Sequence, residues 1–213
     1  MRFGLALIAL LCLGSGQLAA QREGPRLDVS VNAVAALQEG PLVTSANLLA
    51  DANTLDLLKN GLFPARIHYR IELWKKGGWL GDDPAGRSEW DVIVRYDPST
   101  RLYAAVRRFS DNSFENFGGY PTVVAAEEQF GKPYRPPLHP SRAGRYYYNL
   151  VVDVQTLTES DLDALNHFLR GPEAPVKKNP VTALRRGIGQ LLSRVLGGDK
   201  REFEAQSGVF SVP

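Results

Sequence analysis

The chain has little sulfur and little histidine. Its one cysteine, Cys12, lies in the apolar run near the N-terminus, and its one methionine is Met1. Beyond that run, no thiol is available for a disulfide, a thiolate metal site or a cysteine nucleophile. The three histidines, at positions 68, 139 and 167, are too far apart in sequence to form a ligand pair on one helix. We therefore expect neither a metal nor a cofactor.

Common catalytic motifs are also missing. The serines beyond the N-terminal run lack the Gly-x-Ser-x-Gly elbow, and no glycine-rich loop has the spacing that holds phosphates. The formal net charge is only +2 at pH 7, which argues against a nucleic-acid-binding domain. Neighbouring carboxylates at Glu127 and Glu128 leave one catalytic alternative, acid–base hydrolysis.

No apolar run is long enough to cross a membrane, which takes about 20 residues. The run at residues 4–13 follows Arg2 and precedes the small residues Ala19 and Ala20 and then a polar stretch. A positive start, a short apolar core and a small-residue exit are typical of a bacterial secretory signal peptide. We therefore predict a signal peptide over residues 1–20 and export of the mature chain, without a transmembrane helix, to the periplasm or cell envelope.

Charge is distributed unevenly along the rest of the chain. Residues 21–170 contain 17 basic and 19 acidic side chains, whereas residues 171–201 contain 7 basic and 2 acidic ones. Together with the polar linker at 172–178, this change predicts an exported β-rich domain over residues 21–170. A linker, a basic amphipathic helix and a C-terminal tail are expected over residues 171–213.

Alternating apolar residues predict about six strands. The clearest has Ile67, Tyr69, Ile71 and Leu73 on one face and polar residues on the other, as in a strand with one face on a core and one in water. Five other segments alternate in the same way: 27–37, 42–48, 90–96, 102–106 and, as the last strand, 145–155. Short hairpins between these strands favour a mostly antiparallel, sandwich-like α+β domain.

Helical spacing predicts helices near residues 51–60, 121–130 and 159–170. Residues 75–87 and 109–119 are predicted to be loops. A further amphipathic helix is expected over residues 180–196, with basic side chains beside its apolar stripe: Arg185, Arg186 and Arg194. Such a helix can dock on its own domain, on an anionic bilayer or in a partner's groove, and these alternatives stay open.

The polar face of the clearest strand is the first candidate binding surface. It carries Arg66, His68, Arg70 and Glu72. One interpretation is a cross-strand charge ladder with neighbouring strands, for which the candidates are Asp91, Arg95 and Arg145. The other interpretation is a recognition face for an acidic ligand.

Tryptophans bracket the hairpin loop after this strand. Trp90 fits the core alternation, Trp74 falls in the polar register, and Trp79 lies at the tip of the loop. An exposed tryptophan at a tip is a candidate contact anchor, so Trp74 and Trp79 are candidate binding residues. Packing of Trp79 back over the core is the commoner outcome, and it is the one we expect.

Three segments together carry a family resemblance. They are the strand RIHYRIELW at 66–74 with its loop, the segment VRYDPSTRLY at 94–103, and the RYYY strand from 145. The second segment contains a Tyr-Asp-x-x-Thr-x-x-Tyr turn after a tryptophan-bearing hairpin. In these features the chain, over about residues 27–157, resembles the bacterial domain of unknown function 4390 family. The resemblance implies an exported protein and assigns no catalytic residue.

These observations predict an exported, non-catalytic envelope protein that acts as a binding or interaction domain. We expect its partner to be another envelope protein or an anionic membrane surface, and not nucleic acid. The alternative is an envelope hydrolase that uses Glu127 and Glu128 as surface carboxylates.

Overall fold

A computed structural model of the protein describes residues 24–77, 79, 81–156 and 200–213. Several predictions fall outside these ranges. They concern the signal peptide at 1–20, the helix at 159–170, the linker at 172–178, and the basic helix at 180–196 with Arg185, Arg186 and Arg194.

The described residues form a mostly antiparallel α+β fold with nine strands and two helices. The first strands are β1 (Arg26–Ser30), β2 (Leu42–Ala46), β3 (Ala65–Lys75), β4 (Asp83–Asp97) and β5 (Leu102–Phe109). The later ones are β6 (Phe114–Tyr120), β7 (Gly144–Thr156), β8 (Arg201–Gln206) and β9 (Phe210–Val212). The helices are α1 (Ala52–Lys59), between β2 and β3, and α2 (Val123–Phe130), between β6 and β7.

Seven of the strands form one sheet. Its order is β6-β5-β4-β3-β7-β8, and β9 also pairs with β7. Every pair in it is antiparallel, and β1 and β2 form a separate antiparallel hairpin. Because β3 lies between β4 and β7, its side chains occupy the middle of both faces.

One face of the large sheet is the apolar core. Along β3 buried and half-buried residues alternate from Ala65 to Leu73, which confirms the predicted alternation. On β7 the residues predicted to face inward are all buried: Tyr146, Tyr148, Leu150, Val152 and Val154. Leu58 of α1 and Phe130 of α2 belong to the same apolar cluster, so the helices cover this face.

Both described helices begin at a side-chain cap. The Asp51 carboxylate accepts a hydrogen bond from the Thr54 N–H, which confirms the helix predicted near 51–60. The Thr122 hydroxyl accepts one from the Ala125 N–H, so α2 begins at Val123, and Pro121 lies just before the cap. Neither of these two helices is long and apolar enough to span a membrane.

The first predicted strand is shorter than expected. β1 ends at Ser30, and residues 33–38 form turns in place of the strand expected to run to Leu37. The Asn32 side chain accepts a hydrogen bond from the Val34 N–H, and the Gln38 and Glu39 N–H groups both donate to the Ala35 carbonyl. The Asn32 side chain thus provides a local hydrogen bond in place of one between strands, and alanine has little preference for strands. The strand therefore ends early.

Two of the predicted loops contain strand residues. β4 begins at Asp83 within the expected 75–87 loop, and Pro84 falls at a register shift opposite Trp74, where its missing N–H is tolerated. β6 occupies most of the expected 109–119 loop as the outer strand of the sheet. Gly118 has a φ of +91° and lies beside a register shift at Ala105 and Val106, so glycine here accommodates a bulge.

The chain after residue 200 adds two strands to the main sheet, so β7 is not the last strand. β8 and β9 both pair with β7. The Phe210 ring stacks on Tyr148 with centroids 5.6 Å apart, and the Tyr148 N–H donates to the Ser207 hydroxyl at 2.9 Å. Residues 201–212 therefore belong to the sheet of the domain predicted to end at residue 170, and the described residues contain nine strands where about six are predicted.

Candidate binding site

The face of the large sheet turned away from the core is polar, with Asp91 of β4 at its centre. His68 of β3 lies opposite Asp91 on one side and Arg108 of β5 on the other. Asp91 Oδ1 lies 2.9 Å from both Arg66 Nε and His68 Nδ1, and Oδ2 accepts a hydrogen bond from Arg108 Nη2 at 2.7 Å. One carboxylate therefore contacts three basic side chains.

The Asp91 carboxylate is ionised and almost inaccessible, with 7% of the side chain exposed. Burial alone raises its pKa, but the hydrogen bond from His68 and the charges of Arg66 and Arg108 outweigh burial and hold the pKa well below its usual value. A carboxylate only accepts hydrogen bonds, so the contact with His68 requires a proton on Nδ1. These donors are used inside the protein, which favours the charge-ladder interpretation.

The other predicted residues of this face lie nearer the β3–β4 hairpin. Arg70 Nε is 3.4 Å from Glu72 Oε1, and Trp74 Nε1 donates to Glu72 Oε2 at 3.1 Å. The Arg70 side chain is 37% exposed, more than that of Arg66 or His68. The sheet does not bring Arg95 and Arg145 to this cluster: Arg95 pairs with Ala104, and the Arg145 carbonyl accepts from the Lys76 N–H.

Glu127 and Glu128 do not form the surface pair expected of a hydrolase. Glu127 is buried and its Oε1 accepts a hydrogen bond from the Leu48 N–H, while Glu128 is exposed. Burial raises the pKa of Glu127, although the N–H groups of Leu48 and Leu49 oppose this shift. Both glutamates line a pocket of about 200 Å³ with Asn47. The description of Glu127 as a surface carboxylate is wrong, because it holds the loop after β2.

No metal site is found in the part of the chain that the structure describes. There, no three His, Cys, Asp or Glu side chains are grouped so that they could hold an ion. Among the described residues, His68 Nδ1 is hydrogen-bonded to Asp91.

The loop between β3 and β4 is pinched at its base by glycines. A Cβ on Gly77 would lie 1.6 Å from the Gly81 carbonyl oxygen, so no side chain fits there. Asp82 ties the two sides together, accepting from the Gly77 N–H at 3.1 Å and from Lys76 Nζ at 2.9 Å. The Tyr147 hydroxyl on β7 donates to the same carboxylate at 3.0 Å. The loop is therefore fixed at its base and to the neighbouring strand.

Trp79 lies in this loop between the two glycines and is 94% exposed. The expectation that it packs back over the core is wrong. Trp90, in contrast, is buried and stacks on Tyr69 with ring centroids 5.0 Å apart, as its alternation predicts. A large aromatic side chain on a loop whose base is fixed is well suited to act as a contact anchor.

Sequence reasoning missed two residues that organise these surfaces. Arg108 lies two residues beyond the predicted end of its strand at 106. It shares the half-buried face of β5 with the residues that the alternation predicted to face the core: Leu102, Ala104 and Val106. Asp82 lies in the predicted 75–87 loop, and the sequence signal for its role is its position across a glycine-rich stretch from Lys76.

No family model, curated protein or solved structure matches the chain. The resemblance to the domain of unknown function 4390 family therefore stays a prediction.

Proposed function

We propose that the protein is an exported, non-catalytic binding domain of the cell envelope, and that the loop carrying Trp79 is its contact surface. The observation that carries this proposal is the 94% exposed indole on a loop closed by Gly77 and Gly81. Export rests on the predicted signal peptide. A sandwich-like packing of the two sheets and a second contact through the basic helix at 180–196 are further parts of the proposal.

The energetics of an exposed tryptophan support a role in binding. Burying a tryptophan side chain removes about 150–250 Å² from water, and each Å² of apolar area is worth roughly 25 cal/mol. The fold leaves this stabilisation unused at Trp79, although Asp82 fixes the base of the loop. A loop whose base is fixed before binding loses less conformational entropy when a partner arrives.

The hydrogen bonds of three carboxylates, those of Asp91, Glu127 and Asp82, favour a binding function over hydrolysis. Asp91 binds three basic side chains, Glu127 accepts from the backbone after β2, and Asp82 fixes the hairpin. General acid–base catalysis needs a carboxylate within hydrogen-bond reach of a substrate. Each of these three is already committed to a partner within the protein.

The proposal is tested by crosslinking in cells. A photoreactive amino acid at position 79 should crosslink to an envelope component, whereas the same residue at Val34, which is 99% exposed on another loop, should not. Trp79→Ala should also reduce co-fractionation with the envelope, and Val34→Ala should leave it unchanged. If position 79 gives no crosslink and Trp79→Ala co-fractionates normally, the loop is not the contact surface.

A further inference from the structure

We infer that the partner of the Trp79 loop is an anionic lipid bilayer, with the indole at the interface and nearby basic side chains at the headgroups. The inference rests on the proposed function, because it names the partner of the same loop. It is carried by the charge around the loop, by the way that charge is paired, and by the chemistry of the residue at the apex.

The loop lies at a basic end of the sheet. We define this hairpin end as residues 74–77, 79, 81–84 and 142–147. Its charged side chains are four basic ones, Lys75, Lys76, Arg142 and Arg145, and two acidic ones, Asp82 and Asp83. Counting side chains, the hairpin end therefore carries an excess of two positive charges.

Ion pairs within the protein neutralise only part of the basic charge of the hairpin end. Lys76 Nζ is 2.9 Å from Asp82, so these two charges compensate each other. Arg142 and Arg145 are exposed, and neither guanidinium has an ion-pair partner among the described residues. Asp83 is thus the one acidic side chain of the hairpin end that remains to oppose these two arginines and Lys75.

The fold holds the basic residues close to the hairpin. The Arg145 carbonyl accepts a hydrogen bond from the Lys76 N–H at 2.8 Å, which ties β7 to the base of the loop. The Arg142 carbonyl accepts one from the Tyr146 hydroxyl at 3.0 Å. A Cβ at Gly144 would lie 2.9 Å from Lys75 Cε, so glycine there leaves room for the lysine stem. The basic groups and Trp79 therefore share one end of the molecule.

Tryptophan with neighbouring lysine and arginine is the combination that suits a bilayer surface. The indole ring is enriched at headgroup level, and basic side chains near the surface are attracted to anionic lipids. Leu80 follows Trp79 directly in the sequence, and the residues from 77 to 81 carry no charge. A short uncharged segment between basic residues can enter the interface without burying an unpaired charge.

The electrostatic contribution to the affinity for anionic vesicles follows from the number of basic side chains. Each exposed lysine or arginine near an anionic surface contributes about fivefold in affinity. Removing both Arg142 and Arg145 should therefore weaken binding by about 25-fold at low salt, and added salt should weaken binding further.

The experiment uses the full chain and vesicles of phosphatidylcholine, either alone or with about a third phosphatidylglycerol. Brominated acyl chains in the vesicles quench tryptophan fluorescence at short range, so the readout reports on the indole. Trp79→Phe identifies the contribution of position 79. Arg142→Gln/Arg145→Gln is compared with the charge-matched Arg95→Gln/Arg101→Gln, because Arg95 and Arg101 are exposed near the β4–β5 turn, at the opposite end of β4.

We expect quenching on the anionic vesicles, its loss in Trp79→Phe, an about 25-fold weaker titration for the hairpin-end double variant and little change for its control. Equal weakening of both double variants overturns the inference, because net charge alone then accounts for binding. Sedimentation with vesicles without quenching of Trp79 also overturns it, since another segment then makes the contact. If quenching is absent but position 79 crosslinks to a protein in cells, the lipid inference fails and the proposed function stands. If both are absent, both fail.

Discussion

Asp91 places one negative charge between basic side chains of β3 and β5. Arg66 is 11% exposed and Arg108 is 16% exposed, so neither guanidinium can recover full hydration if the carboxylate is removed. A buried cluster of this kind does little for stability compared with a well-packed apolar one. Breaking it, however, leaves uncompensated charge in a region of low dielectric constant.

Asp91→Ala should therefore lower the free energy of unfolding by about 3–5 kcal/mol at neutral pH. Arg87→Ala is the control on the same face. The Arg87–Glu89 pair is mostly exposed, with 61% of the Arg87 side chain in water, so its loss should cost at most about 1 kcal/mol. Urea unfolding of both variants measures the difference, and equal effects would mean that the cluster contributes no more than a surface pair.

The contribution of Asp91 to the free energy of unfolding should also depend on pH. The pKa of Asp91 in the folded protein lies below its unfolded value of about 3.9. Its stabilising contribution is thus complete above that unfolded value and is lost as the pH falls toward the folded one. The stability difference between the wild type and Asp91→Ala should shrink between about pH 5 and about pH 2. A difference that stays constant over this range would rule out the ionised carboxylate as its source.

At the residue scale, sequence periodicity predicts which face a side chain occupies but not which partners it meets. The alternation of β3 correctly puts Arg66, His68 and Arg70 on the face away from the core. That Asp91 lies opposite His68 depends on the register of β4, which the turn and the core set together.

The β3–β4 hairpin depends on a glycine where two backbone segments nearly touch. A methyl group at Gly77 would lie 1.6 Å from the Gly81 oxygen, so the backbone has to move to accept it. This shift would also disturb the Asp82 hydrogen bond to the Gly77 N–H.

Gly77→Ala should therefore destabilise the protein by about 1–3 kcal/mol and weaken any contact that Trp79 makes. Gly24→Ala is the matched control, since a Cβ there has no heavy atom within 4 Å. Denaturant unfolding together with the vesicle titration provides the readouts. If Gly77→Ala behaves like Gly24→Ala in both, the pinched base does not fix the loop.

Elements with strong local signals were predictable. Asp51 caps α1, and the pure alternation of β3 and β7 identifies central strands buried on one face. The edge strand β6 was missed because its FENFGGY sequence carries glycines and no apolar alternation. Pairing with β5 stabilises it as a strand, and such tertiary context is not visible in local composition.

At the scale of the whole molecule, β8 and β9 add two strands from a distant part of the chain to the core sheet. Phe210 and Val212 are buried, and Arg201 Nη2 on β8 donates to the Leu48 carbonyl and the Thr54 hydroxyl at 3.1 and 3.0 Å. The sheet order places these strands next to β7, although 44 residues separate Thr156 from Arg201 in sequence.

Truncation after Gly171 should thus abolish cooperative unfolding, because it removes β8 and β9. In contrast, replacing residues 157–199 with a short Asn-Gly turn should preserve it, since Val154 and Arg201 are direct partners across the ladder. Calorimetry of the two variants tests this. A cooperative transition in the truncated chain would mean that the last two strands are dispensable.

The late position of β8 and β9 also constrains the order of events during synthesis. A chain that emerges with its N-terminus first presents β7 with its outer edge unpaired until residues 201–212 have followed. An exposed strand edge invites pairing with other chains. If the protein is threaded through a membrane as an extended chain, this arrangement delays the pairing of the outer edge of β7 until residues 201–212 have crossed, so premature folding on the side of origin is disfavoured.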